Sequence, residues 1–387
     1  MKKIKKGAFS VCFMHTQLPG IIMYRMANFA EYMKTPVLMP KWDKKGVENS
    51  VWQHFITDKD TNVMRDLHHI VENSDVIIFQ RFLNDKGLAI IQAIRECSKG
   101  TKKIGMEIDD YMFNVPEYNA AHTNYLPGMP LFMLGLQQMQ LSDFMVVSTN
   151  ELKKRYSNDN PNIFVAENCI DRKWWGKIEN KGGGKKIRIG WAGANAHYED
   201  VRILRGVMDT LLEKYGDKIE FYLYSPNRLF DNKEGITNET GYTPLMKYPK
   251  KLKSLGFDIG LAPLCDNIFN RCKSANRYLE YSMLKVPTIA SDIGGQFSEI
   301  IKDGENGYLA KTESEWITKL SLLIESNILR EQIGKNAFAF VNKKYRAEHG
   351  AKRYDALVKK AFKVRGNYEF QRDGSVCSEI TTTSTRN

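Results

Sequence analysis

The sequence has no stretch near the roughly 18 to 20 consecutive apolar residues that an α-helix needs to cross a bilayer, so no helical membrane span is expected. Its opening, MKKIKKGAFSVCFMH, starts basic but carries too short an apolar run for a signal peptide. Six cysteines, Cys12, Cys97, Cys169, Cys265, Cys272 and Cys377, are scattered without the CxxC spacing of a metal site. They indicate neither a disulfide framework nor zinc, and they fit a reducing cytoplasm. There is no internal repeat and no groove-reading motif for DNA. A soluble globular protein is the remaining expectation. Of its 387 residues 42% are hydrophobic, enough for two ordinary cores at the usual domain size.

The formal net charge is +12, and it is unevenly placed. Residues 1–180 carry 23 Lys and Arg against 20 Asp and Glu, and the remainder 34 against 25. Residues 343–365 alone hold nine basic side chains and two acids. Three readings of that segment stand side by side: a solvated helix face, contact with nucleic-acid phosphates, or peripheral contact with anionic lipid.

Short apolar runs alternate with helical spacing along the chain. Runs at 9–14, 35–40, 75–81 and 103–108 read as strands, with helices predicted over 62–73 and 85–97, and 142–175 repeats strand, helix, strand. Apolar runs bounded by Pro and Gly suit a parallel sheet covered on both faces. NKGGGKK, 180–186, interrupts the pattern, because three consecutive glycines hold regular structure poorly and suit a joint. IRIGWAGANAHYEDVRILRG then restarts it with a strand and a glycine turn from Gly190 to Gly193, followed by strands at 219–224, 259–263 and 286–291. The fold class is therefore α/β: a Rossmann-like domain over 1–180, a linker over 181–186 and a second such domain over 187–345. A basic helix over 346–365 and a disordered tail over 366–387 follow. One helix is expected across 313–335, another across 347–364, and a loop across 243–248.

The densest chemistry lies in IGLAPLCDNIFNRCKSANRYLEYSMLKVPTIASDIGGQFSEIIKDGENGYLA, 259–310. In an open parallel sheet, ligands sit at the carboxyl ends of strands, where helix N-termini offer N–H groups to anions. The loop from Asn270 to Ser274 has such a place, before a helix predicted over 273–283. Lys273 and Ser274 stand at the helix start and Arg277 one turn on, a set suited to a diphosphate. Glu280, two turns after Lys273, is placed to accept hydrogen bonds from sugar hydroxyls. Gly294 and Gly295 follow the next strand at once. Singly, each residue has a plainer reading, since a Lys and an Arg a turn apart are ordinarily a solvated helix face. The ordered run points to a nucleotide-sugar pocket.

LEYSMLKVPTIASDIGGQFSEIIKDGENGYL resembles the C-terminal half of retaining GT-B glycosyltransferases of family 4, whose usual run is Glu, seven residues, Glu, a Gly-Xaa-Pro strand and a second glycine turn. Glu280 matches the second Glu, which in the family contacts the donor ribose. Glu299, Gly304 and Gly307 match the closing E-I-I-x-D-G-x-N-G stretch. The first Glu is missing, and Cys272 stands eight residues before Glu280. In its place Phe269 to Arg277 has the form F-N-x-x-K-S-x-x-[KR], similar to a phage-like branch that binds the diphosphate through Lys273. The family's Arg and Lys after the glycine turn are replaced by Ala194 and His197. His197 with Asp200 resembles that branch's G-x-x-x-H-x-x-D variant, which puts Gly193 and His197 at the donor site. The resemblance implies two Rossmann-like domains across a cleft, no metal, and no cofactor beyond a nucleotide-diphosphate sugar of UDP-glucose type as co-substrate.

In that family the loop after the first strand lies in the cleft. His15, Gly20, Tyr24 and Arg25 are therefore acceptor-side candidates, with ordinary helix residues as the equal alternative for Tyr24 and Arg25. Gln80 and Arg81 emerge at a strand end facing the same cleft. EIDDYMFNVPEYN, 107–119, sets three acids at a strand end, where they repel one another unless partnered. It looks like the branch's E-x-D-D-x-x-F element. With Lys273 and Glu280, Asp109 and Asp110 are the catalytic candidates, either orienting the acceptor hydroxyl or the donor sugar or acting as base. Structural capping and a divalent metal held by the pair compete with that assignment. Ser148 and Thr149 suit N-caps partnered with Glu151, and Trp174 and Trp175 suit packing at the domain junction.

The resemblance thus implies retaining transfer of a hexosyl or pentosyl unit from a nucleotide sugar to a hydroxyl. Two acceptors compete: a hydroxymethylated base in phage DNA, which the basic excess favours, and an envelope or lipid-linked glycan. The location expected is cytoplasmic, in a host if the chain is phage-encoded. From another class, a non-catalytic nucleotide-binding module or a sugar-nucleotide epimerase also fits.

Overall fold

The computed structural model describes residues 11–14, 23–34, 37–38, 41–42, 48–49, 71–82, 85–176, 184–230 and 233–364. His15, Gly20, the tail over 366–387 and most of the helix expected over 62–73 lie outside the described residues.

Apolar strands decide the architecture. Before the linker come β1 (Val11–Met14), β2 (Val37–Leu38), a small antiparallel pair β3 (Lys41–Trp42) and β4 (Glu48–Asn49), then β5 (Val76–Gln80), β6 (Lys103–Ile108), β7 (Phe144–Val147) and β8 (Ile163–Val165). Six of these form a parallel sheet in the order β2-β1-β5-β6-β7-β8. β1, β5 and β7 are buried along their whole length, as strands covered on both faces must be. After the linker, β9 (Ile187–Ala192), β10 (Ile219–Ser225), β11 (Ile236–Thr240), β12 (Ile259–Ala262), β13 (Thr288–Ser291) and β14 (Tyr308–Ala310) form a second parallel sheet, ordered β11-β10-β9-β12-β13-β14. The order reverses between β9 and β12, and the crevice beyond such a switch point is where doubly wound sheets hold ligands. No described helix is long and apolar enough to cross a membrane.

Several elements differ from expectation, each for a local reason. The helix expected across 313–335 is two, Glu313–Glu325 and Asn327–Lys344, because Ser326 is extended (φ −127°, ψ 108°) and its Oγ accepts the Leu329 N–H. The helix expected from 273 starts at Asn276 and ends at Met283. Ahead of it, Asn267 caps a short helix, Ile268–Arg271, by accepting the Asn270 N–H. Lys273 and Ser274 therefore occupy the turn between two helices rather than a helix start. Residues 243–248 are only partly loop, since a turn at Leu245–Lys247 leads into the helix Tyr248–Ser254. Thr149 caps the helix Asn150–Arg155 through the Leu152 N–H, while Glu151 pairs with Arg155. The helix Pro130–Leu141 has no charged residue to mark a solvent face, and β11 is a polar edge strand, ITNET; neither is legible from spacing.

The two domains exchange elements. The helix Ala347–Ala361 crosses back to pack on the helix Asn28–Met33, with the Tyr354 ring 5.4 Å from Phe13 and 5.1 Å from Phe29. Gly350 permits the approach, since a Cβ there would lie 2.5 Å from Cys169 Sγ and 2.6 Å from the Phe29 ring. The crossing is pinned by the Ile170 N–H donating to the Tyr345 carbonyl (2.7 Å) and the Ala347 N–H to the Ile170 carbonyl (2.9 Å). In return, Phe269 and Cys272 of the second domain sit in the first domain's core with Met112 and Tyr156.

Tyr354 is buried, so Tyr354→Ala is expected to lower the unfolding free energy by about 3 to 5 kcal/mol in urea denaturation. Ile328→Ala, at a position 83% exposed, is expected to change it by less than about 0.5 kcal/mol.

Candidate active site

A cavity of about 270 Å³ opens where β9 and β12 end. Trp191 and 262–264 line it from the second sheet, together with His197, Lys273, Ser274, Arg277 and Glu280, and Asp109 and Asp110 line it from the first domain. Seven residues singled out in the sequence thus meet in one space.

The two acids stand on a buried ion pair. Glu107, on β6, is shut away from solvent, and so is Arg25, whose Nε donates to its carboxylate. Arg25 also donates to the Ala166 carbonyl and, at 2.8 Å, to Asn168 Oδ1. Its guanidinium is therefore held inside the first domain, buried and outside the lining of the cavity. Asn168 passes the link across the cleft, donating to Ser274 Oγ (2.9 Å) and Asn276 Oδ1 (2.8 Å). Thr149 makes a parallel link by donating to the Cys272 carbonyl (2.9 Å).

Asp109 and Asp110 have been pushed apart in acidity. Burial, with Asp110 and Glu107 close by, pushes Asp109 up to about 7 against the pull of Arg25 and Arg81. Burial works against the charge of Asp110 too, but Lys273, Arg81 and His197 outweigh it and hold its carboxyl below the usual range. Lys273 Nζ lies 3.3 Å from Asp110 Oδ1, the acid 36% and the lysine 19% exposed into the cleft. Backbone placement is fixed by Tyr156 Oη donating to the Asp110 carbonyl (2.8 Å). Among the described residues, no group of three or more His, Cys, Asp and Glu is arranged to hold a metal ion.

Glu280 is nearly buried, and its carboxylate already has three donors. Tyr24 Oη donates to Oε1 (2.9 Å), while Tyr248 Oη (3.3 Å) and Arg277 Nη1 (3.1 Å) reach Oε2. Arg277 also donates to Tyr248 Oη (2.8 Å) and lies over the Trp191 ring at 5.7 Å. Gly193 makes room for it, because a Cβ there would be 2.8 Å from Arg277 Nη2. Tyr24, expected on the acceptor side, thus reaches Glu280, expected on the donor side. Burial and Glu280 keep its hydroxyl protonated, well above its ordinary value. Tyr248 and Trp191 were not singled out; the aromatic start of a helix read as loop is the only signal for Tyr248.

His197 Nδ1 lies 2.8 Å from Asp200 Oδ2. Burial, reinforced by Lys273 and Arg277, lowers its pKa despite Asp200. A neutral ring donating through Nδ1 leaves Nε2 as an acceptor. Asp200 is held by the Cys265 N–H (2.8 Å) and Asn270 Nδ2 (2.7 Å). Asn270 is itself buried and does not line the cavity, so it supports His197 instead of facing a donor. Gly294 and Gly295 do not line it either. Gly295, at φ 71°, packs where a Cβ would strike the Arg271 carbonyl oxygen at 2.1 Å. It opens the helix Gln296–Ile300, and Gln296 Oε1 accepts the Ala275 N–H (2.7 Å), bracing the turn that carries Lys273. Arg81 stands over the Tyr125 ring at 5.2 Å, and its charge reaches both aspartates.

A larger cavity of about 360 Å³ has a separate lining, which includes Glu167, Glu299, Lys344 and Arg353. Its acids and bases balance, with Tyr345 donating to Glu167 (2.9 Å) and Asn150 to Glu299 (3.2 Å). Size does not make it the site; the unequal carboxylates and convergent cations are in the cleft.

Asp109 keeps its proton to about pH 7 in the folded protein and to about pH 4 when unfolded. Folding therefore takes up a proton between those values, and this group's contribution to stability falls as pH rises through them. Asp109→Asn is expected to raise the melting temperature more at pH 8 than at pH 4.5, by at least about 2 °C, in scanning fluorimetry. Equal shifts at both values would show Asp109 to be an ordinary acid.

The family model for glycosyl transferases group 1 matches residues 277–340. No curated protein matches the sequence. Among solved structures, Anabaena HepE in complex with UDP and glucose is similar at 10% identity over 91% of this chain and 100% of its own, with a TM-score of 0.61. A glycosyltransferase from Rickettsia africae is similar at 13% identity over 93% and 100%, with a TM-score of 0.59. TarM, known from S. aureus, is similar at 15% identity over 73% of this chain, with a TM-score of 0.55, and the chain spans 54% of its length. By fold the chain is GT-B, and residues 277–340 match the glycosyl transferases group 1 model.

Proposed function

We propose that the protein is a retaining glycosyltransferase of the family 4 type, moving a sugar from a UDP-linked donor to an acceptor hydroxyl, and that the acceptor is a hydroxymethylated base in DNA. The observation that carries this is the meeting of Lys273, Arg277 and Glu280 with Asp109 and Asp110 in one cavity at a switch point. HepE, of similar fold, is known in complex with UDP-glucose, which supports a donor of that kind.

In the reaction, the acceptor oxygen bonds to the anomeric carbon on the face from which the diphosphate leaves, and the bond from that carbon to the diphosphate oxygen breaks. The electron pair goes to the leaving phosphate, where Lys273 and Arg277 offset the growing charge. Glu280 holds the ribose hydroxyls. The acceptor's proton passes to Asp109, whose pKa near neutrality suits a base, while Asp110, paired with Lys273 before the donor arrives, yields it to the diphosphate. His197 Nε2 accepts a hydrogen bond from the donor sugar.

DNA is favoured as acceptor by the crossing helix, which exposes Lys352, Arg353 and Lys360, with Lys363 exposed just beyond its end. Such side chains neutralise phosphates without reading sequence. Labelled sugar from UDP-glucose is expected to enter hydroxymethylated DNA and not unmodified DNA. Lys273→Ala is expected to weaken UDP binding about 10- to 100-fold and to abolish transfer. Label in a lipid-linked glycan alone would move the acceptor to envelope synthesis, and UDP binding with neither transfer nor donor hydrolysis would leave a non-catalytic nucleotide-binding module.

A further inference from the structure

Two contacts across the cleft have the same form. On the second domain stand Lys273 and Glu280, the groups assigned above to phosphate and ribose. On the first domain stand an anion and a hydroxyl that satisfy them: Asp110 Oδ1 at 3.3 Å from Lys273 Nζ, and Tyr24 Oη at 2.9 Å from Glu280 Oε1.

We propose that the first domain competes with the donor for the donor site, the Asp110 carboxylate standing in for a phosphate on Lys273 and the Tyr24 hydroxyl for a ribose hydroxyl on Glu280. The inference rests on the donor assignment above and adds a regulation of that site by the opposite domain.

Stereochemistry and charge both require the exchange. A carboxylate has about four acceptor positions, and three on Glu280 are filled. Two adjacent ribose hydroxyls need two. Arg277 and Tyr248 are bonded to each other within the second domain, so Tyr24 is the donor that yields. At Lys273, the Phe269 ring 4.3 Å from Nζ restricts where the ammonium can point. A diphosphate brought there faces Asp110 as a like charge. The charged and titratable groups acting on Asp110 include Lys273, Arg81 and His197, with Asp109, Tyr156 and Cys272 beside it. With Lys273 drawn to phosphate, the remaining balance shifts against its charge, and Asp110 turns away or takes a proton. Donor binding therefore breaks two ties between the domains, and its affinity is lower than the second domain alone would give.

The test is calorimetric titration of UDP at pH 7.5 into the full chain and its Asp110→Asn and Tyr24→Phe variants. UDP is expected to bind about five- to tenfold more tightly to Asp110→Asn and about three- to fivefold more tightly to Tyr24→Phe. Both variants are expected to melt at a lower temperature than the parent without nucleotide. Those opposite signs separate competition from a merely structural role, which would weaken binding and stability together. If the parent binds UDP and both folded variants bind it equally or less well, the competition is overturned while the donor assignment stands. If no folded chain binds UDP, the donor assignment fails and the inference with it. Should one variant fail to fold, the other decides alone.

Discussion

Arg25 and Glu107 are both shut away from solvent, and two charges in a protein interior are tolerable only in each other's company. Each uncompensated ion would cost several kcal/mol, so wherever one goes the other must follow. The consequence is positional. Arg25 comes from the first described helical segment, Glu107 from the end of β6, and Asn168 from the strand-end loop after β8. Their meeting fixes the turn that carries Asp109 and Asp110 relative to the loop that touches Ser274 and Asn276. A buried pair away from the cavity therefore sets the spacing of the two sides of the cleft.

The site that results is built on unequal partners. Two neighbouring carboxylates share one burial cost, but only Asp110 has a lysine 3.3 Å away. Asp109 has Glu107 and Asp110 close by, and Arg25, the cation that lowers it most, is already paired with Glu107. Environment alone thus separates two chemically identical groups into one that carries charge at neutrality and one poised to exchange a proton. His197 is handled in the same way, its Nδ1 occupied by Asp200 and its charge opposed by burial and two cations.

Much of this was legible in the sequence, for a physical reason. Strands covered on both faces are apolar throughout, so β1, β5, β7 and β12 stand out, and the switch point follows from their order. Asp109, Asp110, Lys273, Arg277 and Glu280 were legible because each cluster is local in the chain and chemically conspicuous. Partnerships were not. Nothing within a helical turn of Arg25 shows that its counter-ion lies 82 residues away. Asn270 looked like a donor ligand, yet its amide is turned to Asp200, 70 residues off. The start of the helix at Asn276 was masked by a competing cap at Asn267, a choice made by side chains accepting backbone N–H groups and not by apolar spacing. Gly295 packs against the Arg271 backbone, while a Cβ on Gly294, at φ 80°, would meet nothing within 4 Å.

The crossing of the last described helix onto the first domain has a consequence for how the chain is made. Phe13 and Phe29 find their aromatic partner in Tyr354, more than 300 positions later in the order of synthesis. At ordinary elongation rates that is a delay on the order of tens of seconds. Until then the ribosome-bound first domain presents an open apolar face, and its sheet cannot reach final stability. Nascent-chain chaperones have that interval in which to act, and neither half of this protein completes its core without residues from the other.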